Sequence, residues 1–239
     1  MPHPEVQKLA ALDNATLCEA MWRSHGLNVE EGPGCVACVG PAPRFYPNLV
    51  TIDPEASADD QVSWIIDRSA PGGFVVKDSF QALPLASHGF EPLFQATWID
   101  RPEDSAPPTT LLNWRSVADD TALRAWETAW SDGAGHPPLF LASFLRDPRV
   151  ILLDGIDDRG AIVAGCVLTK GPRVTGLSNV LGSWPEVVGA ALRAAAGQHL
   201  VGYERGDDLL AATKAGFRRL GELTVWKRQL RTERGRFTA

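Results

Sequence analysis

Val201-Gly-Tyr-Glu-Arg-Gly-Asp-Asp-Leu-Leu-Ala-Ala-Thr-Lys-Ala-Gly-Phe217 is the stretch on which the reading of this chain turns. His199 to Tyr203 reads as a strand, and Asp207 to Ala215 as a short helix. Gly216 follows the helix at a position that suits the left-handed backbone region, which a side chain disfavours. Phe217 then opens a second strand through Leu220 to Trp226.

The same succession occurs earlier. Phe80 to His88 is helix-like, Gly89-Phe90 follows, Leu93 stands three residues after the Phe, and a strand runs to Trp98. Upstream, Phe45 to Ile52 and Val174 to Leu181 are strand-like and contain Asn48 and Asn179. Six residues after each Asn comes Pro-Glu, at Pro54-Glu55 and Pro185-Glu186, a helix-start signal. Helices are expected over Pro54 to Ser69 and Pro185 to Ala196, then strands over Phe74 to Lys77 and His199 to Tyr203. Val36-Ala37 with Cys38-Val39 resembles Val163-Ala-Gly-Cys-Val167, and Pro43-Arg44 resembles Pro172-Arg173. Residues 35–98 and 163–226 thus carry matched landmarks in one order. That is too long for a solenoid unit and reads as a duplicated domain. Each copy has a helical lead-in, Ala15 to His25 and Thr121 to Trp130. Leu123, Trp126 and Trp130 form a stripe whose spacing is that of core. Asp100 to Thr110 is polar and proline-rich and reads as a semi-rigid linker.

The order helix, strands, helix, strand, short helix, Gly-Phe, strand is similar to the GNAT acyltransferase superfamily, carried by the quoted stretch and by the weaker Val75-Val-Lys-Asp-Ser79…His88-Gly-Phe90. The resemblance implies an α/β chain of the α+β kind, with a mixed central sheet flanked by helices. It implies two tandem GNAT-like (acyl-CoA N-acyltransferase) domains: residues 1–100, a linker over 101–110, residues 111–230, and a tail over 231–239. It also implies acyl transfer from acetyl-CoA or another acyl-CoA to a small-molecule or protein amine. The family holds the cofactor pyrophosphate on backbone N–H groups of an Arg/Gln-x-x-Gly-x-Gly/Ala loop at a helix N-terminus. The matching stretch here is Asn179-Val180-Leu181-Gly182-Ser183 followed by Trp184-Pro185. It has one glycine and no Arg or Gln. Trp184 is bulky where phosphate would approach, and Pro185 deletes a donor. In the first half the counterpart is Leu49 to Asp53, without glycine, where Asp53 would cap the following helix. The family's general-acid Tyr falls on Ala212 and Leu85.

The cleft of such a fold lies at the C-terminal ends of the central strands. Ser178, Asn179, Tyr203 and Glu204 are expected there in the second half, with Asn48, Lys77, Asp78 and Ser79 as first-half counterparts. Glu204 is the candidate general base and Tyr203 the candidate acid. The alternatives are that Glu204 caps a helix or pairs with Arg205, and that the chain is a catalytically inactive GNAT-like protein that binds a ligand or a partner.

Composition narrows the rest. With 239 residues, 44% hydrophobic and 22% charged, the chain reads as an ordinary globular protein. A net charge of −6 argues against nucleic acid as partner. The basic run Lys227, Arg228, Arg231, Arg234 and Arg236 reads as a solvated end. Cys35-Val-Ala-Cys38 has metal-site spacing, but no second ligand pair follows. With Cys18 and Cys166 these read as buried thiols, and no metal is expected. No secretory signal or apolar span is legible, so a cytoplasmic location away from membranes is expected, as a monomer or homodimer. His25, His88, His136 and His199 share no motif, and hydrolase, NTPase and zinc-protease signatures are absent.

Overall fold

A computed structural model describes residues 3–70, 72–133 and 137–229. His136 and the basic residues Arg231, Arg234 and Arg236 lie outside the described residues. The first half comprises α1 (His3–Ser24), β1 (Val29–Gly32), β2 (Cys35–Cys38), β3 (Leu49–Thr51), α2 (Ala58–Arg68), β4 (Val75–Asp78), a 3-10 turn (Leu85–His88) and β5 (Phe90–Arg101). The second comprises β6 (Asn113–Ser116), α3 (Asp120–Trp130), β7 (Val150–Ile156), β8 (Ile162–Lys170), β9 (Val174–Leu181), α4 (Trp184–Ala195), β10 (His199–Glu204), α5 (Gly206–Lys214) and β11 (Arg218–Arg228).

All eleven strands join one sheet in the order β1-β2-β3-β4-β11-β5-β10-β9-β8-β7-β6. The centre of that order is an exchange. β5, from the first half, pairs antiparallel with β10, and β11, from the second, pairs antiparallel with β4. β5 and β11 pair with each other along the seam. Each half therefore completes its sheet with the other's last strand, and the sheet is continuous across the division expected at 101–110. The two parallel pairs are β3 with β4 and β9 with β10.

The helices follow from amphipathic faces. α1 is longer than its predicted extent because Pro4 in the first turn costs no intrahelical bond. Its Val6, Ala10 and Ala11 cover the seam beside Trp98, Val201 and Leu223. Leu123 and Trp126 are buried, as their spacing requires, and Trp126 Nε1 donates to Leu153 O. On the other side of the sheet, α4 and α5 pack Val187, Val188 and Ala212 against Leu177 and Leu200.

Several local expectations shift. α2 starts at Ala58 and not Pro54, because the Ser57 hydroxyl caps it by accepting from Asp60 N. Asp53 is not that cap; its carboxylate takes Lys8 and the N–H of Glu55. Gly89 and Gly216 do hold left-handed conformations, φ 81 and 92. Asp100 and Arg101 extend β5. Buried Asp100 accepts from Arg218 and faces His199 Nδ1, and Arg101 donates to Ala215 O. The following segment lies on α4, where the Glu186 carboxylate accepts from Leu111 N at 2.8 Å. Lys227 and Arg228 belong to β11, and Arg228 bonds Ser69 O. The four cysteines are buried free thiols. Cys35 and Cys38 belong to different packing clusters, and burial pushes their thiols up to about 12 and about 11.

Candidate active site

The site arises where β9 and β10 stop pairing. Their ladder runs from Val174–His199 to Gly176–Val201 and ends there, although β9 continues to Leu181 and β10 to Glu204. On the other edge of β9, the register with β8 shifts between Gly165–Leu181 and Val167–Ser178. Asn179 lies at this bulge with φ 50. A bulge bends its strand and takes residues out of the ladder. Asn179 is a residue type that tolerates this backbone region. The bend opens a cavity of about 270 Å³.

Residues of both sheet faces line the cavity, because adjacent strand residues point to opposite faces. Leu177 packs on the α4 side and Tyr203 on the α1 side. Ser178, Asn179, Val180, Tyr203 and Glu204 all line it. Ser178 Oγ donates to Val167 O at 3.4 Å, and Asn179 Oδ1 accepts from Tyr46 OH at 3.5 Å.

Glu204 is half-buried, and no hydrogen bond or ion pair reaches its carboxylate among the described residues. Its pKa is raised to about 8. Burial is the main cause, the Asp208 carboxylate adds to it, and Arg205 opposes it. The Arg205 guanidinium rests over the Phe94 ring at 4.6 Å. Glu204 therefore neither pairs with Arg205 nor caps α5, whose N-cap is Arg205 itself.

Tyr203 stands edge-on to Trp98 and accepts a hydrogen bond from Lys77 Nζ at 3.2 Å. Lys77 also donates to Asn14 Oδ1 at 2.6 Å, and its Nζ lies 4.3 Å from the centre of the Tyr203 ring. Lys77 is only 3% exposed and lines the same cavity. It was expected in a first-half cleft of its own, but α1 and the strand exchange bring it to the second half's gap.

Asn48 and Asp78 do not join them. The register from the seam sets Asp78 level with Glu204, opposite Thr224 and Thr97 respectively. Asn48, whose N–H donates to Val75 O, is then level with Gly176 and not with Asn179. Its side chain accepts from Val75 N and donates to Gly40 O, tying down the loop before β3. Asp78 is buried with its oxygens on the N–H groups of Phe80, Ala82 and Leu83, where it shapes the turn after β4. Burial still raises its pKa, because desolvation outweighs those bonds. Ser79 N donates to Thr51 Oγ1 at 2.8 Å.

The sequence did not mark Asn14, Leu17 and Cys18 from α1, Tyr46 from the loop before β3, or Asp208. Asp13-Asn14 inside an apolar helix was the available signal, since buried polar pairs in a helix interior require partners.

The connection expected to carry cofactor contacts is two residues long, Gly182 and Ser183, both exposed. Gly182 has φ 82, and a Cβ there would meet Val163 O at 2.3 Å, so packing against β8 accounts for the glycine. Trp184 does not block the helix mouth. It is 6% exposed and packs edge-to-face on Phe217 at 5.8 Å. Ser183 caps α4 without a side-chain hydrogen bond. The N–H groups of Ser183, Trp184 and Glu186 thus head a helix whose first turn leaves such donors unsatisfied. A gap between parallel strands beside a helix N-terminus whose N-cap side chain makes no hydrogen bond fits a thioester arm and its diphosphate, with fewer donors than a glycine-rich loop supplies. Among the described residues no group of His, Cys, Asp and Glu could hold a metal ion, and no helix is long and apolar enough to cross a membrane.

No family model matches the sequence, and none of the curated proteins does. Solved structures do match. A GCN5-related N-acetyltransferase from Kribbella flavida is similar at TM-score 0.58 and 14% identity, over 92% of this chain and 95% of that one. A putative acetyltransferase of the GNAT family from Novosphingobium aromaticivorans matches at TM-score 0.53 and 13% identity, over 89% and 96%. A GCN5-related N-acetyltransferase from Sphaerobacter thermophilus matches at 0.52 and 15%, over 83% and 81%. At these identities the shared property is the backbone arrangement, and it spans almost the whole of both chains: this chain has the fold of the GCN5-related N-acetyltransferases.

Proposed function

We propose that the chain is an acyl-CoA-dependent N-acyltransferase whose single working site is the gap between β9 and β10. The observation that carries this reading is the parting of those parallel strands around Glu204, a half-buried carboxylate without a partner among the described residues. When bound, acyl-CoA supplies a thioester whose carbonyl carbon an amine attacks, with release of the thiol. Glu204 takes the proton from that amine. Its raised pKa suits a base working near neutrality. Tyr203 gives a proton to the departing sulfur: its oxygen accepts from Lys77, which leaves the phenolic hydrogen free for donation. Asn179 and Val180 line the arm, and the backbone from Leu181 to Ser183, with the first turn of α4, meets the diphosphate. Protonation of Tyr203 and deprotonation of Glu204 are restored from solvent, and the products are an amide and a free thiol.

We also read the chain as a doubled unit, because strand order repeats on either side of the β5–β11 seam. In that reading the first half is scaffold. The competing reading, a silent ligand-binding protein, is favoured by the lack of any Lys or Arg among the residues from Asn179 to Glu186. Calorimetric titration of the purified protein with acetyl-CoA separates the two. Saturable micromolar binding is expected, and no heat at millimolar cofactor overturns the proposal.

A further inference from the structure

The cavity is polarised. At its α5 end stand Glu204 and Asp208, and at its α1 end stands Lys77, held by Asn14 and Tyr203. Among the described residues Lys77 Nζ has no carboxylate partner; its two bonded acceptors are a neutral amide and a phenol. An ammonium carries three hydrogens, so one remains for the cavity. A buried cation without a counter-ion is costly, and such groups are ordinarily paired. The other side chains that line that end, Leu17, Cys18, Tyr46 and Ser178, are uncharged, and the Glu19 carboxylate that acts on Cys18 does not line the cavity. A purely cationic amine entering there would meet like charge.

We propose that the α1 end of the cavity holds the carboxylate of a small amino acid, with Lys77 as the residue that pairs with it and Asn14 and Tyr203 as the residues that aim Lys77. This deepens the acyltransfer reading and rests on it for the fate of the amine, which lies toward Glu204 and Asp208. A volume of about 270 Å³ admits a short ω-amino acid. The acceptor class is thus a zwitterion whose two ends match the two ends of the cavity.

The test is a calorimetric titration, without acyl-CoA, of the full chain with glycine, β-alanine and γ-aminobutyrate, each beside its carboxamide. The acids are expected to bind saturably, at least about tenfold more tightly than the amides, in line with the loss of one charge-assisted contact. Lys77→Met is expected to erase the preference. Asn14→Asp keeps the lysine but supplies it with a carboxylate, and is expected to erase the preference too. It decides the matter should Lys77→Met fail to fold by circular dichroism. Equal binding of acids and amides by the unaltered protein, an acid preference that survives both substitutions, or no binding of any acid overturns the proposal. Failure of the acyltransfer reading shows separately, as absent acetyl-CoA binding by the unaltered protein.

Discussion

The two parallel strand pairs, β3 with β4 and β9 with β10, occupy matching places on either side of the seam and have opposite fates. In the first, Thr51 Oγ1 accepts from Ser79 N and donates to Lys77 O at 3.5 Å, so the strands are clasped to their ends. β2 meets β3 in unbroken register. In the second, Asn179 takes φ 50 at a bulge, β9 leaves β10 after Gly176, and a cavity opens. A hydroxyl that satisfies the neighbouring strand closes one gap, and a left-handed residue opens the other. A site therefore depends on how two strands part, and the same succession of elements can hold one or lack it.

The largest expected effect comes from breaking the seam. Residues 1–106 and 107–239 expressed apart each lack the strand that completes their sheet, so each is expected to be insoluble or unfolded by circular dichroism, because unpaired edges invite aggregation. Coexpression is expected to restore a folded pair. An isolated half with a cooperative melt would show that the exchange is dispensable.

Next comes chemistry at the open gap. Glu204→Gln is expected to cut turnover by about a hundredfold or more, the range of general-base catalysis, while acetyl-CoA affinity stays within about twofold. With the carboxyl at about 8, activity in the unaltered protein should climb about tenfold per pH unit below that value and level off above it. The climb is expected to vanish in Glu204→Gln, and a retained climb would assign the base elsewhere.

At the closed gap, Thr51→Val leaves the buried Ser79 N–H without its acceptor. Denaturant melts are expected to show a loss of roughly 1–3 kcal/mol, with acetyl-CoA binding unchanged. Reduced cofactor binding would mean that the first-half gap also serves the ligand.

The smallest effect is a stability shift at Glu204. Its folded pKa of about 8 lies above the ordinary 4.5, so the fold favours the protonated form. That advantage is complete below about 4.5 and is lost as pH rises through about 8. Thermal melts of Glu204→Gln are therefore expected to run a few degrees above the unaltered protein at pH 9 and to converge with it near pH 4.

Local features of the fold were legible because they depend on neighbours in sequence. Gly89 and Gly216 announced left-handed turns, and Leu123, Trp126 and Trp130 announced a packed face by their spacing. Glu204 and Tyr203 line the cavity, as the position of both at the end of a strand in such a fold leads one to expect. Asn48 misled because sequence likeness aligned it with Asn179, whereas strand register sets it three residues away. Trp184 misled because the direction of a side chain at a helix start depends on the core behind it, here Phe217. Asn14 and Tyr46 escaped notice because each reaches the cavity from an element remote in the chain.

By itself the sequence determined the order of elements, their turns and the carboxylate at the end of β10, since periodicity and backbone preference act over a few residues. Only the tertiary structure decided that β5 and β11 trade places, that Thr51 shuts one gap while Asn179 opens the other, and that Lys77 lines a cavity that both halves build. Those outcomes rest on hydrogen bonds and packing between segments from about 10 to well over a hundred residues apart, such as Thr51 with Ser79 and Lys77 with Tyr203, where preferences acting over a few residues do not reach.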